Sequence, residues 1–291
     1  AMYALRELGA TKEELEKLRG ALLEKLEKVV RATDISVDQD NFSFYLGQRK
    51  AYLGYYHYFF ERISNETPLP NFDALIPGIA AGAFHALIRL AYGLEAEQKS
   101  EIAAGLAYLA DAYQDVGHPE PKFHASPRST FSAFFKTLVQ SHSSKALAVP
   151  ELTGVIYQKM AQVSASPSIQ QILHEIPHPS EITLAEIAAS NLKLFLSTNN
   201  FTALHTVTAT HAARIVASYL DDTRELTYQL AVSSTVAMLT IPAEQFSERH
   251  TTTAVPNSRE LAERACQSWD EHDIKFVYSC IREFEYYNDP K

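Results

Sequence analysis

Apolar residues recur along this chain at three- and four-residue spacings, the pattern of helices that each bury one face. Between residues 11 and 31, Leu15, Leu18, Leu22, Leu23, Leu26 and Val30 keep that rhythm. Thr11 and Glu14 precede it as a capping box, in which each side chain satisfies the other residue's backbone amide. The same period predicts helices near 96–114, 128–147, 151–163, 166–175, 181–197, 201–220, 222–240, 257–267 and 270–287. Loops are expected at 115–128, which holds His118 and His124, and at 242–257. No alternating run reads as a strand, and no repeat, low-complexity tract or Gly/Ser-rich linker divides the chain. The expectation is an all-α protein, one compact domain over residues 1–291, with roughly a dozen helices.

Four stretches stand out from this regular background. Residues 41–63 are crowded with rings, among them Tyr55, Tyr56 and Phe60, with His57 in their midst. Such a stripe reads either as plain core or as the wall of a pocket for a flat aromatic ligand. From Ile79 to Tyr92 the chain is apolar, and the small residues Gly78, Ala81, Gly82 and Ala86 would let another helix come close. His85 is then expected inside, with Arg89 one turn further on the same side. From Leu204 to Arg214 two histidines and three threonines interrupt an apolar helix; His205 and His211 are six apart and point in different directions on a regular helix. Near the end, His272 and Lys275 share a helix face among Ile274, Phe276, Val277 and Ile281. Lys275 either runs its stem to the surface or is buried for a chemical reason.

Composition narrows the function. The chain has 291 residues, 46% of them hydrophobic, enough for a sizeable core. A net charge of −9 argues against nucleic-acid or acidic-membrane partners. The apolar run at 79–92 is too short to span a bilayer and contains His85 and Arg89. Cys266 and Cys280 form neither a zinc signature nor a disulfide framework and are expected to be reduced core thiols. No secretory leader is visible at the start. Together these predict a cytoplasmic protein.

The ten glycines contain no dinucleotide-binding fingerprint and no phosphate-binding loop, and there is no nucleophile elbow. Glu175 and His178 have the spacing of di-iron helices, but the surrounding prolines break the helix and no second copy exists. What remains is histidine. His57, His85, His211 and His272 lie on apolar helices far apart in sequence, the arrangement of a metal site assembled from separate helices.

Three blocks then resemble the questin oxidase-like proteins. They are Phe84-His85-Ala86-Leu87-Ile88-Arg89-Leu90-Ala91-Tyr92, Leu204-His205-Thr206-Val207-Thr208 with His211-Ala212-Ala213-Arg214, and Asp270-Glu271-His272-Asp273-Ile274-Lys275-Phe276 with Cys280-Ile281-Arg282-Glu283. The family includes enzymes that open anthraquinone rings. Some were described as NADPH-dependent oxidases, and at least one resembles a mononuclear non-haem iron dioxygenase. The resemblance implies Fe(II) held by His57, His85, His211 and His272 with a carboxylated Lys275, His205 being the reserve ligand. It implies catalytic roles for Lys275 and His272. Tyr55, Tyr56, Phe60, Arg89 and His205 would border a small aromatic or polycyclic, quinone-like substrate, with dioxygen as co-substrate. NADPH would serve as reductant, although no Rossmann motif is present to bind it. A carbamate is sensible on a buried lysine, because burial favours the neutral amine that reacts with CO₂.

Two other readings compete. His272-Asp273 hints at a metal phosphohydrolase of the His…His-Asp…Asp kind, though only Asp289 follows it. A helical, non-enzymatic protein that binds a hydrophobic ligand would carry the same histidines as packing.

Overall fold

The computed structural model describes residues 1–25, 35–117, 119, 130–246 and 256–288. In chain order its α-helices are α1 (Met2–Glu7), α2 (Lys12–Lys25), α3 (Tyr52–Arg62), α4 (His85–Glu95), α5 (Lys99–Asp111) and α6 (Phe131–Ser143). They continue with α7 (Ile156–Ser164), α8 (Pro167–Leu173), α9 (Leu184–Thr198), α10 (Phe201–Ala217), α11 (Arg224–Leu239), α12 (Ser258–Cys266) and α13 (Glu271–Asn288). Short 3₁₀ turns fill several connections, and no strand occurs among the described residues. The expected all-α class is therefore met. The helices predicted from 96 onward all appear, with ends within five residues of those expected, the largest difference being the start of α7 at Ile156 instead of 151. His118, His124, Asp289 and the end of the first predicted helix lie outside the described residues.

The chain forms two compact units, residues 1–32 with 250–291 and residues 33–249. The smaller unit brings the chain ends together: α13 packs on α1 and on α12. Tyr3 meets Tyr278 edge-on, with centroids 6.1 Å apart. The capping box is formed, Thr11 N–H donating to Glu14 Oε2 at 2.7 Å and Glu14 N–H to Thr11 Oγ1 at 3.3 Å. Cys266 and Cys280 are free thiols, and burial pushes that of Cys280 up to about 12.

The larger unit holds one continuous core running from Val37 to Phe246. Helices α10 and α11 are its centre. Every residue from Thr202 to Ala213 and from Leu226 to Leu239 is buried, so these helices face protein on all sides rather than along one stripe. Asn191 of α9, wholly buried, ties the centre together. Its Nδ2 donates to Thr206 O at 3.3 Å, Thr210 Oγ1 at 2.9 Å and Ser234 Oγ at 3.0 Å. Helices α4 and α5 pack backbone to backbone through two glycines: a Cβ at Gly105 would lie 2.5 Å from Leu90 Cα, and one at Gly93 2.7 Å from Ile102 N.

One expected helix is different. The run from Ile79 does not enter α4 directly, because Gly82, Ala83 and Phe84 all take positive φ (57°, 57° and 69°). Three left-handed residues cannot propagate a right-handed helix. Helix α4 therefore begins at His85, which the sequence places mid-helix. Nor do Gly78 and Gly82 receive a helix backbone; they receive the rings of Tyr113 and Tyr108.

Candidate metal centre

His85 is the first residue of α4, and its aim is set by the left-handed turn before it. The Gly82 carbonyl, turned back by that backbone, lies 2.6 Å from His85 Nδ1. A carbonyl can only accept, so Nδ1 carries the proton and the lone pair sits on Nε2. Ala83 and Phe84 are not glycines, and each left-handed residue of this kind costs about 1–3 kcal/mol unless its surroundings hold it. Here Phe84 is fully buried and the Tyr108 ring fills the space beside Gly82. Such stored strain gathers at functional positions.

His205 lies one turn into α10, 1% exposed. Asn200 starts that helix by capping it, its Oδ1 accepting from Thr202 N–H at 2.7 Å. The Phe201 carbonyl then receives His205 Nδ1 at 2.7 Å, and the Phe201 ring stands edge-on to the imidazole with centroids 4.6 Å apart. Again Nδ1 is the donor and Nε2 keeps the lone pair. The two Nε2 atoms of His85 and His205 face each other at 3.3 Å. Two lone pairs so placed repel unless a positive centre lies between or beside them. Nitrogens bonded to one metal at about 2.0–2.1 Å are separated by about 2.8–3.4 Å as the angle between them opens from square to tetrahedral. The pair fits a shared cation.

The smaller unit presents a third histidine of the same kind. His272, in the first turn of α13, has Nδ1 3.0 Å from Asp270 Oδ1, which also accepts its backbone N–H at 2.8 Å. A ligand histidine is commonly oriented in this way, by a carbonyl or carboxylate on the nitrogen away from the metal. Three residues on, Lys275 is 7% exposed and does not reach the surface. Its Nζ donates to Glu271 Oε2 at 3.1 Å. Burial pushes the Glu271 carboxyl up, but the charge and hydrogen bond of Lys275 outweigh it and hold it below its usual range. Asp273 accepts from Ser268 Oγ at 3.1 Å instead of serving His272. In the His-Asp pair behind the phosphohydrolase reading, the two side chains thus have different partners, Asp270 for His272 and Ser268 for Asp273.

His211 differs in the nitrogen that is tied. Arg214 Nη2 lies 3.3 Å from its Nδ1, and an arginine only donates, so the proton sits on Nε2. That Nε2 faces Glu95 Oε2 at 3.9 Å in a buried pair. The structure brings His205, not His211, to His85, as the six-residue spacing on α10 requires. His57 lies on the exposed side of α3. It borders a cavity of about 310 Å³ with Ile35, Ser36, Val37, Gly54, Tyr58 and Glu61. Neither His85 nor His205 lines that cavity.

The proposed substrate wall is also redistributed. Tyr55 is fully buried, its ring 5.3 Å from Phe42 and its hydroxyl donating to Phe42 O. It is core. Tyr56 and Phe60 stack on one another at 5.8 Å, Phe60 being 38% exposed with Lys99 4.8 Å over its ring. Arg89 is held by Glu101 of α5 at 3.1 and 3.4 Å. The groups that sequence reasoning missed are the Gly82 and Phe201 carbonyls. Backbone acceptors leave no compositional mark in the sequence.

A family model described as questin oxidase-like matches residues 1–280, nearly the whole chain. No curated protein matches it. The chain belongs to the questin oxidase-like family.

Proposed function

We propose that this family member is a mononuclear non-haem iron oxygenase, acting with dioxygen on an aromatic or polycyclic, quinone-like substrate. The observation that carries the reading is the facing of the His85 and His205 Nε2 atoms at 3.3 Å, each ring fixed through Nδ1 to a backbone carbonyl. The donor chemistry suits Fe(II), for which neutral imidazole is a good ligand. His85 and His205 are the core of the proposed ligand set. His272 is proposed as a third member, on its sequence block and on its own Nδ1–Asp270 bond. Iron, when bound, would supply the Lewis-acid and redox chemistry that dioxygen needs.

The chain's own residues do the rest. The Gly82 and Phe201 carbonyls hold the imidazoles in the ligating tautomer, so no proton has to leave a ring when a cation arrives. Burial of His205 keeps bulk water from competing for the cation. Lys275 is proposed as an anionic ligand after its neutral amine adds CO₂ and releases a proton. That step carries a condition readable in α13: the carbamate would lie beside the Glu271 carboxylate as a like charge, so the Lys275–Glu271 bond must break first. NADPH remains the proposed reductant, though the chain carries no Rossmann motif for it.

Anaerobic loading with Fe(II), removal of free metal and elemental analysis test the proposal. About one iron per chain is expected, together with dioxygen uptake on adding a hydroxylated quinone. A chain that retains no iron and consumes no dioxygen overturns it and leaves the hydrophobic-ligand reading.

A further inference from the structure

Asp111 stands where a carboxylate is costly. It ends α5, at the negative end of the helix dipole. It is 5% exposed, and its Oδ1 is buried with no hydrogen-bond partner among the described residues. Its Oδ2 lies 3.6 Å from Nη1 of Arg49, whose side chain is more than half exposed. Burial pushes the carboxyl up to about 7 even against the pull of Arg49. The other titratable groups that bear on it are phenols of α3, Tyr52 and Tyr55, both raised chiefly by burial and so neutral at pH 7. Arg89 and Glu101 act in turn on Tyr52. A buried carboxylate this poorly satisfied calls for an explanation beyond packing.

The contacts of Arg49 supply one. Its guanidinium carbon lies 5.6 Å from the centre of the Tyr108 ring, and Tyr108 shares a face of α5 with Asp111. The Tyr108 hydroxyl lies against Gly82, where an added Cβ would come within 2.5 Å of it. Gly82 O is the acceptor that holds His85 Nδ1 at 2.6 Å. Gly47 N–H donates to Ala110 O at 2.8 Å and docks the Arg49 segment on the same end of α5.

We propose that Asp111, Arg49 and Tyr108 are positioning residues for His85: the carboxylate holds the guanidinium over the phenol ring, and the phenol holds the left-handed turn whose carbonyl aims the imidazole. The role in metal binding rests on the reading of His85 as a ligand; the positioning itself does not. The tether works while Asp111 is charged and relaxes when it is protonated, so the aim of His85 acquires a pH dependence from a group that touches no ligand.

The test uses the full chain, with Arg49→Gln, Arg49→Lys and Asp111→Asn. Arg49 is largely exposed, so its variants should fold. In the metal-free protein, nitrogen-15 spectra of the histidine rings, with His85 assigned from His85→Gln, read the imidazole directly. At pH 8 the His85 signals of Arg49→Gln and Asp111→Asn should move and the Nδ1 proton should exchange faster by roughly fivefold, the worth of a partly exposed ion pair. Arg49→Lys should recover part of the change. Arg49→Gln should approach the parent at pH 6, where Asp111 is mostly protonated. Co(II) titration should follow the same order, with affinity lower by roughly fivefold in Arg49→Gln at pH 8. His85 signals unmoved by Arg49→Gln, or moved equally at both pH values, overturn the proposal. A parent that takes up no Co(II) while its His85 signals respond refutes the metal reading and leaves the positioning standing.

Discussion

At the residue scale, the structure sorts the histidines by which ring nitrogen is tied. His85 and His205 give Nδ1 to a carbonyl and present Nε2, whereas His211 accepts at Nδ1 from Arg214. Substituting glutamine at His85 or His205 removes a ligand and should weaken Fe(II) or Co(II) binding by more than about 100-fold, the upper end for losing a mere supporting partner. His211→Gln and His57→Gln should stay within a few-fold of the parent. Equilibrium dialysis with metal analysis checks this, and equal losses at His57 and His85 would contradict it. The left-handed turn makes a second expectation. Ala83→Gly relieves the positive φ of 57° and should raise the unfolding free energy by about 1 kcal/mol. Gly82→Ala brings a Cβ to 2.5 Å from the Tyr108 hydroxyl and should lower both stability and metal affinity, measured by denaturant titration and Co(II) binding.

At the element scale, α9, α10 and α11 are joined by polar groups inside a wholly buried contact. Asn191→Ala would leave the Thr210 and Ser234 hydroxyls without their donor and should cost roughly 2 kcal/mol in urea unfolding. A cost near zero would mean that the hydroxyls find other partners. Most of the helices were legible in the chain because their apolar spacing is regular, and the Thr11–Glu14 capping box marks the start of α2. The start of α4 was not, because nothing in an apolar run announces that Ala83 and Phe84 will be left-handed. Tyr55 shows the same limit in the candidate site. Its identity fits a pocket wall and a core equally well, and only the hydroxyl bond to Phe42 O decides. His205 could have been preferred to His211 no earlier than the packing of α10 on α4 was known.

At the scale of the whole molecule, the resemblance read from three short blocks and the family match over residues 1–280 agree. No described helix is long and apolar enough to cross a membrane. Stability should depend on pH through Asp111. Its folded value, about 7, lies above the ordinary 3.8. The folded chain therefore binds a proton that the unfolded chain releases, and the stability contributed is full below about pH 4 and is lost as pH rises through 7. Asp111→Asn should match the parent near pH 4 and exceed it by on the order of 2 kcal/mol at pH 8.5, in paired denaturant titrations. A constant difference across that range would place the cost elsewhere.

The central claim is that His85 and His205 share one metal. X-ray absorption at the iron edge, on protein loaded anaerobically with Fe(II), reads that coordination directly. We expect nitrogen or oxygen neighbours at about 2.0–2.2 Å with the outer-shell scattering of at least two imidazoles. In His85→Gln and in His205→Gln the iron content or the imidazole scattering should fall. An iron spectrum without imidazole scattering, or one unchanged in both variants, would contradict the account.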